Sequence, residues 1–367
     1  MEVAIIGAGT SGLSCAIELE KHGIKPVIFE CNNFIGEYHP HVSALLGLIS
    51  RPYPDPIKYI DKVLGIKLNA LHSFQKIIHI SPNNQVTATG SLGYFFIRGK
   101  EDISIKNQLY SMVNSQIKFN TFIRPEDLEK EFDYVVVADG HWSAPERYGI
   151  WQEIMKTWLK GGIFEGDFED DTIIMWLDND LTHGAYIYCA PYSKNKAVIA
   201  HVVQGIEHED LNDYWQRFLQ SRGILKKYNM VESWELPHRA GFVTTNRVGR
   251  TYFIGAAGGG IEPFLGFGQL NAIYSGVMTG RSIAQGKDIK KLLKDLHKRN
   301  NELLVFRSLM NTATNKDFDR LLMLMKTPGV RNLIYKTNIN VIKYISNGLK
   351  MIVKEDINFA HLIKGGQ

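Results

Sequence analysis

The sequence predicts an α/β protein with three parts: a discontinuous Rossmann-like dinucleotide-binding domain, a substrate domain built on an antiparallel β-sheet, and a helical C-terminal segment. Three apolar runs, at 3–6, 134–138 and 251–254, each lead into a glycine-containing turn, although they lie far apart in the chain. Shorter runs with strand-like composition separate them, and a helical pattern follows from residue 288. The 367 residues are enough for two domains.

The first apolar run has every neighbour that a phosphate-binding loop requires. Val3–Ile6 is typical of a strand buried on both faces, and the spacing G-x-G-x-x-G follows it at once. A helical pattern and a second strand, Pro26–Phe29, come next. The glycines allow a tight turn, close approach of a pyrophosphate and packing of the helix, whose first N–H groups face the phosphates. The predicted cofactor-binding residues are Gly7, Gly9, Thr10, Ser11, Gly12 and Glu30.

Glu30 ends the second strand, 18 residues after Gly12. A carboxylate at this position binds the hydroxyl groups of a ribose. The ribose can belong to NAD or to the adenosine half of FAD, and this loop alone does not distinguish them.

Two distant segments carry a resemblance that does distinguish them. The segment "FDYVVVADGHWSAPER" contains Asp139 and Gly140, followed by a serine and an arginine, Ser143 and Arg147. The segment "RTYFIGAAGGGIEPFLGFG" contains a glycine, then a proline eight residues later, then Gly-x-Gly. Together with the N-terminal loop, these segments resemble the three fingerprints of the p-hydroxybenzoate hydroxylase-type flavoproteins, and within that group the geranylgeranyl reductase family.

The resemblance implies that FAD is the cofactor and that the third segment holds its ribityl chain and the pyrimidine edge of its ring. A glycine-rich turn at the start of a helix offers backbone N–H groups and the positive end of the helix dipole. The residues implied are Gly255, Ala256, Pro263, Gly266, Phe267 and Gly268.

Ala256 departs from the family pattern, because the resemblance expects an Asp that binds the ribityl hydroxyls. Loss of one charge-assisted hydrogen bond costs roughly 1.5–3 kcal/mol. We therefore expect weaker FAD binding. A non-catalytic nucleotide- or lipid-binding protein that has lost tight FAD binding remains an alternative.

Two further segments match the family in kind. "GYFFIRGKEDISIKNQLYSMV" resembles an arginine-plus-helix stretch, which makes Arg98 a candidate partner for the flavin phosphate or ribose. "GAYIYCAP" resembles an aromatic signature on a strand of the substrate domain. Tyr186, Tyr188 and Pro191 match it, whereas Ala190 stands where Phe is usual. The two tyrosines are candidate substrate-site residues.

The fingerprints and the runs between them predict the domain boundaries. The FAD-binding domain comprises 1–66, 98–150 and 246–288, and the substrate domain comprises 67–97 and 151–245. The C-terminal helical segment comprises 289–367.

The resemblance implies hydride transfer from reduced flavin to a carbon–carbon double bond of a prenyl lipid. There is one dinucleotide fingerprint, so the reductant is expected to be a transiently bound NAD(P)H or an electron-donor protein. The loop after Glu30 holds His39 and His41, and His41 is a candidate proton donor. A monooxygenase or halogenase on the same scaffold is the main alternative reaction. No spacing typical of a metal site is present.

Charge and composition bear on location and partners. The segment from Lys287 onward has 12 Lys, 4 Arg and 7 acidic residues, a net charge of +9, whereas the whole chain carries +4. Leu292, Leu293, Leu296, Leu303 and Leu304 recur in it at helical spacing. We therefore expect the tail to cover the substrate domain and to reach an anionic membrane surface. The start of the chain lacks a secretory pattern, and three cysteines without a pairing motif suit a reducing cytoplasm. No nucleic-acid partner is expected, and the oligomeric state is left open.

Overall fold

The computed structural model describes residues 1–53 and 55–352. The strands are β1 Val3–Ile6, β2 Val27–Phe29, β3 His41–Leu46, β4 His72–Ile80, β5 Gln85–Arg98, β6 Ile117–Lys118, β7 Tyr134–Val137, β8 Trp151–Glu165, β9 Thr172–Trp176, β10 Ile187–Ser193, β11 Lys196–Gln204, β12 Asn229–Val243, β13 Arg247–Val248 and β14 Thr251–Phe253. The helices are α1 Thr10–Lys21, α2 Pro56–Leu64, α3 Ile105–Tyr110, α4 Pro125–Leu128, α5 Ser143–Arg147, α6 Asn179–Thr182, α7 Leu211–Ser221, α8 Ile224–Lys227, α9 Gln269–Gln285, α10 Ile289–Leu292, α11 Lys294–Thr312, α12 Asn315–Lys326, α13 Pro328–Tyr335 and α14 Val341–Ile352.

The first sheet brings the three fingerprints together. Its strand order is β13-β14-β7-β1-β2-β6, and its pairs are parallel except for β13 with β14. Strands β1, β7 and β14 are adjacent, so the glycine-containing turns at their carboxyl ends meet at one edge of the sheet. This confirms the predicted Rossmann-like α/β fold. All four residues of β1 are buried, which explains the continuous apolar run of its sequence.

Helices α1 and α9 pack unusually closely because glycines face the contact. A Cβ atom on Gly276 would lie 2.3 Å from the carbonyl oxygen of Ser11, and one on Gly280 would lie 2.8 Å from the Cβ of Glu18. Arg281 adds an ion pair with the buried Glu18, at 2.8 Å. The close packing fixes the start of α9 beside the start of α1.

The second sheet has eight strands in the order β12-β8-β11-β10-β9-β4-β5-β3. It departs from the expected antiparallel sheet at one place, because β4 and β9 pair in parallel. The segment after Glu30 was expected to be a loop, but its residues 41–46 form β3, which pairs with β5 at the edge of this sheet. The first 66 residues therefore contribute to both sheets. Helix α7 covers one face with Trp215 and Phe218, which are buried against Phe164 and its neighbours.

Helices α12 and α13 pack against the second sheet, whereas α10 packs against α9 of the first domain. Phe318, Leu322 and Met325 of α12 are buried against Leu177 and Tyr186. The leucines at helical spacing were expected to help the tail reach a membrane surface. The structure instead buries four of them in the core, namely Leu293, Leu296, Leu303 and Leu304. The predicted helical segment 289–367 contains α10 to α14, and its residues 353–367 lie outside the described part. None of the helices that the structure describes is both long and apolar enough to cross a bilayer.

Candidate active site

A cavity of about 740 Å³ lies where the three fingerprints meet. Gly7 has a left-handed backbone, with φ of 100°, and a Cβ on it would lie 2.6 Å from the carbonyl oxygen of Ala138. A Cβ on Gly9 would lie 3.7 Å from its nearest neighbour, which is also the carbonyl oxygen of Ala138. Gly7 therefore allows the turn, while the space above Gly9 is open. The sequence-predicted residues that line this cavity are Gly7, Gly9, Thr10, Ser11, Glu30, Arg98, Asp139, Gly140, Ala256, Gly266 and Gly268.

The cavity has the charge and the backbone that a pyrophosphate requires. Its basic lining residues are Arg98, Lys106, Arg124 and Arg147, and its acidic ones are Glu30 and Asp139. Helix α1 begins after Gly9 without a side-chain cap, so its first turn keeps N–H groups for an anion. Desolvation by the surrounding residues raises the pKa of the Asp139 carboxyl above its ordinary value.

Glu30 is held in place by its own neighbours. One carboxylate oxygen accepts hydrogen bonds from the backbone N–H and the side chain of Asn32, both at 2.9 Å, and the other accepts from the N–H of Ala8, also at 2.9 Å. The carboxylate is thus fixed at the rim of the cavity. Phe122, which lines the same end, is 83% exposed. An exposed aromatic ring beside a ribose-binding carboxylate suits the adenosine half of a dinucleotide.

The opposite end of the cavity fits the flavin half. Ala256 presents its methyl group there, so nothing replaces the missing carboxylate at that position. Gln269 begins α9, and its buried side-chain nitrogen has no hydrogen-bond partner among the described residues. An orphaned donor of this kind at a helix start is expected to bind an acceptor of the cofactor. The residues present therefore fit FAD, with one contact missing.

A second cavity, of about 650 Å³, lies between the second sheet and the C-terminal helices. Most of its lining side chains are apolar. They include Leu46, Ile49, Ile77, Leu92, Leu159, Ile173, Met175, Leu177, Val202, Leu236, Phe264, Leu265, Met310, Leu322 and Met325. Such a lining favours a long hydrocarbon ligand.

The two cavities meet at a small group of residues that we call the junction: Arg98, His238, Gly266, Gly268 and Gln269. Each of them lines both cavities. Arg98 lines both cavities, and its guanidinium is paired with the carboxylate of Glu37. Burial opposes the charge of Glu37, but Arg98 and Lys106 hold the pKa of its carboxyl well below the ordinary value.

Two half-buried histidines, His41 and His238, line the apolar cavity, and His238 belongs to the junction. Burial, and then the charge of Arg98, lower the pKa of His41 and of His238 to about 4. His41 packs on the ring of Trp234, with 5.6 Å between centroids, and its Nδ1 lies 2.9 Å from the carbonyl oxygen of His39. Both imidazoles are therefore neutral near pH 7 and offer a hydrogen bond rather than a charge.

The two tyrosines predicted from the aromatic strand line the apolar cavity. The hydroxyl of Tyr186 donates a hydrogen bond to the carbonyl oxygen of Leu265 at 2.5 Å. The hydroxyl of Tyr188 has no hydrogen-bond partner among the described residues. Burial raises the pKa of Tyr188 to about 12, so it stays a neutral O–H donor that faces the cavity.

Glu262 organises the loop that separates the cavities. Its buried carboxylate accepts hydrogen bonds from the N–H groups of Phe264, Leu265 and Phe267, at 2.7–3.0 Å. Burial raises the pKa of this carboxyl to about 7. Because its oxygens serve the loop, Glu262 does not substitute for the missing carboxylate at Ala256.

Three predicted residues lie outside both cavities. A Cβ on Gly12 would lie 2.0 Å from the carbonyl oxygen of Gly7, and one on Gly255 would lie 2.4 Å from the Ser11 hydroxyl. These glycines serve close packing. Pro263 is buried within the loop.

Three residues of the site, His238, Gln269 and Glu262, were not predicted from the sequence. An acid before a proline in a glycine-rich loop was a usable signal for Glu262, and the position after Gly-x-Gly was one for Gln269, whereas nothing in the sequence marks His238.

Comparisons with known proteins agree with this architecture. Residues 5–39 match the model of the NAD(P)-binding Rossmann-like domain. The chain is 21% identical to a digeranylgeranylglycerophospholipid reductase of Methanosphaera stadtmanae, and the match covers 94% of this chain and 96% of that protein.

Solved structures share the fold at low identity. A geranylgeranyl bacteriochlorophyll reductase-like protein of Thermoplasma acidophilum has a TM-score of 0.70 and 14% identity, over 99% of this chain and 98% of that one. A flavin-dependent brominase has a TM-score of 0.68 and 15% identity, over 97% and 100%. The resemblance inferred from the three fingerprints is thereby confirmed: the chain is similar over nearly its whole length to a digeranylgeranylglycerophospholipid reductase, and it shares its fold with a geranylgeranyl bacteriochlorophyll reductase-like protein.

Proposed function

We propose that this chain reduces carbon–carbon double bonds in a prenyl or other lipid-like substrate. The observation that carries the proposal is the junction, where a cavity lined by hydrocarbon side chains opens directly onto the cavity that fits FAD. A prenyl chain in the first cavity would have its double bonds beside the cofactor ring in the second. The similarity to a digeranylgeranylglycerophospholipid reductase supports the same substrate class.

When bound and reduced, FAD supplies a hydride. The chain supplies the rest. The apolar lining excludes water from the double bond, which protects the hydride donor from side reactions. Gln269 and the N–H groups at the start of α9 bind the polar edge of the ring.

The second carbon of the double bond needs a proton, and Tyr188 is the group best suited to hold one there. Its hydroxyl faces the cavity without another partner among the described residues, and its raised pKa keeps it protonated. Tyr186 is committed to the carbonyl of Leu265 and positions the loop. His41 and His238 stay neutral, so their role is to bind or to orient rather than to deliver a proton as a cation.

The electrons are proposed to come from NAD(P)H that binds transiently, or from an electron-donor protein. A monooxygenase or halogenase on the same scaffold would instead need oxygen at the reduced ring. The brominase similarity concerns the fold alone.

An anaerobic single-turnover experiment tests the proposal. The FAD-loaded protein is reduced with dithionite, freed of excess reductant and mixed with geranylgeranyl glycerophospholipid without oxygen. We expect the flavin to be reoxidised in step with a lipid product that has gained two hydrogen atoms. Flavin that stays reduced until oxygen is admitted, with the lipid unchanged, would assign the scaffold to the oxygen-dependent alternative.

A further inference from the structure

We propose that the surface around the opening of the apolar cavity docks on an anionic lipid bilayer. This rim surface comprises residues 321–345, which include the end of α12, all of α13 and the start of α14. Leu321, Lys336 and Asn338 line the cavity and are also exposed, so the cavity opens to solvent within the rim surface. Ser91, on the facing β5, is exposed at the same opening.

Exposed apolar side chains are concentrated on this surface. The described part of the chain has sixteen large apolar residues that are strongly exposed, and seven of them fall within these 25 positions. They are Leu321, Met323, Leu324, Leu333, Ile339, Tyr344 and Ile345. A patch of this kind around a cavity opening marks a surface that meets something apolar.

Helix α12 shows the pattern most clearly. One side is buried in the core through Phe318, Leu322 and Met325. The opposite side exposes Met323 and Leu324 by 57% and 55%. Packing against the rest of the protein accounts for the apolar residues on the buried side. It does not account for the apolar residues on the exposed side.

The charge of the rim surface selects the occupant. Between 321 and 345 the sequence has four basic residues, Lys326, Arg331, Lys336 and Lys343, and no acidic one. Among the described residues, none of the four forms an ion pair with a carboxylate. Each basic residue near an anionic bilayer contributes about 1 kcal/mol, and apolar side chains inserted between headgroups add to this.

A bilayer fits better than a second copy of the chain. In a twofold dimer the same patch would face itself, so four positive charges would oppose four others. The inference rests on the proposed function in one respect, namely that the cavity takes a lipid chain. A lipid could then pass from the bilayer into the cavity without crossing water.

Vesicle co-sedimentation tests the inference on the full-length protein. Vesicles of phosphatidylcholine with one-third phosphatidylglycerol are compared with pure phosphatidylcholine, at low and at physiological salt. We expect binding to the anionic vesicles that falls as salt screens the charges. The apolar triple variant Met323→Gln/Leu324→Gln/Leu333→Gln and the charge variant Arg331→Glu/Lys343→Glu should each lower the vesicle-bound fraction at least tenfold.

Matched controls localise the effect. Leu225→Gln/Val231→Gln removes comparably exposed apolar groups elsewhere, and Lys290→Glu/Lys291→Glu reverses two exposed charges on α10. Both controls should bind vesicles as the parent does. Circular dichroism and the melting temperature verify that every variant is folded.

Three results would overturn the inference. The first is equal recovery in the supernatant with both vesicle types. The second is loss of binding in the α10 control to the same degree as in the rim variants. The third is a concentration-dependent dimer, seen by sedimentation velocity, that the apolar rim variant abolishes. Reduction of detergent-dispersed lipid by the same preparations separates these outcomes from failure of the proposed function, because that assay needs the cavity but no bilayer.

Discussion

The cofactor cavity and the apolar cavity share the junction, yet they are built in different ways. The cofactor cavity forms at the carboxyl ends of β1, β7 and β14, where glycines bring the backbone close to the space that the cofactor needs. The apolar cavity is made of side chains from many strands and from α11 and α12. A side chain added at one of these glycines can therefore obstruct the cofactor, whereas the apolar cavity tolerates changes of shape and responds to changes of polarity.

The largest effect should come from adding a side chain to the phosphate loop. We expect Gly9→Val to weaken FAD binding by about 3 kcal/mol, roughly 150-fold in Kd, because the new methyl groups occupy the open space above Gly9. Titration of the apo-protein with FAD measures it. Gly329→Val, on α13 and away from the cofactor cavity, is the control, since a Cβ there meets nothing within 4 Å. A Gly9→Val protein that binds FAD as the parent does would place the pyrophosphate elsewhere.

The next largest effect should come from removing the proposed proton donor, Tyr188, from the apolar cavity. Tyr188→Phe should lower kcat about 100-fold while leaving the Kd of FAD unchanged, because it removes a proton donor and no cofactor contact. Tyr192→Phe, on the same strand but outside the cavity lining, should leave kcat unchanged. An unaltered kcat in Tyr188→Phe would require another proton donor.

Restoring the missing carboxylate at Ala256 should increase the affinity for FAD. Ala256→Asp should tighten FAD binding by about 1–3 kcal/mol, because Ala256 lines the cofactor cavity where the ribityl hydroxyls are expected. Ala256→Asn, which is similar in size but uncharged, should gain less. Isothermal titration distinguishes the two variants. Affinity that stays the same or falls in Ala256→Asp would show that this turn takes a different path past the cofactor.

The smallest expected effect is on the pH dependence of the free energy of unfolding, through His238. The pKa of His238 is lowered from 6.5 to about 4 by burial and by Arg98, so the unfolded chain takes up a proton first as the pH falls. Stability is therefore lost between about pH 6.5 and pH 4. His238→Gln should reduce this loss by on the order of 1 kcal/mol, measured by urea unfolding at both pH values. His208→Gln, at an exposed histidine, is the control. The same slope in parent and His238→Gln would mean that His238 is solvated.

The contrast between the cavities also explains what the sequence could predict. The phosphate loop is local: Gly7, Gly9 and Glu30 lie within one strand–helix–strand unit, so spacing alone reveals them. The third fingerprint was recognised by its resemblance to a known family, and the adjacent strands β1, β7 and β14 bring its turn to the same edge. His238 was not, because it reaches the junction through the register of the long strand β12 with β8, which pairs residues far apart in the chain. The parallel pairing of β4 with β9 was missed for the same reason.

The tail illustrates a second limit. Helical spacing identified Leu303 and Leu304 as one face of a helix but could not tell whether that face meets the core or a membrane. The structure buries both of them, while it exposes Leu324 and Leu333 further along the chain. Spacing shows that a face exists, and the packing of the whole molecule decides what covers it.

We propose above that a lipid in the apolar cavity lies against the cofactor ring at the junction. A spectral titration tests it most directly. Oxidised, FAD-loaded protein is titrated with geranylgeraniol, and the absorbance of the flavin is followed while equilibrium dialysis measures lipid binding. We expect a saturable change in the flavin bands with the same Kd as lipid binding, and loss of both in Val202→Trp, because the indole ring would occupy the cavity. Lipid binding that leaves the flavin spectrum unchanged, or that persists in Val202→Trp, would contradict the claim.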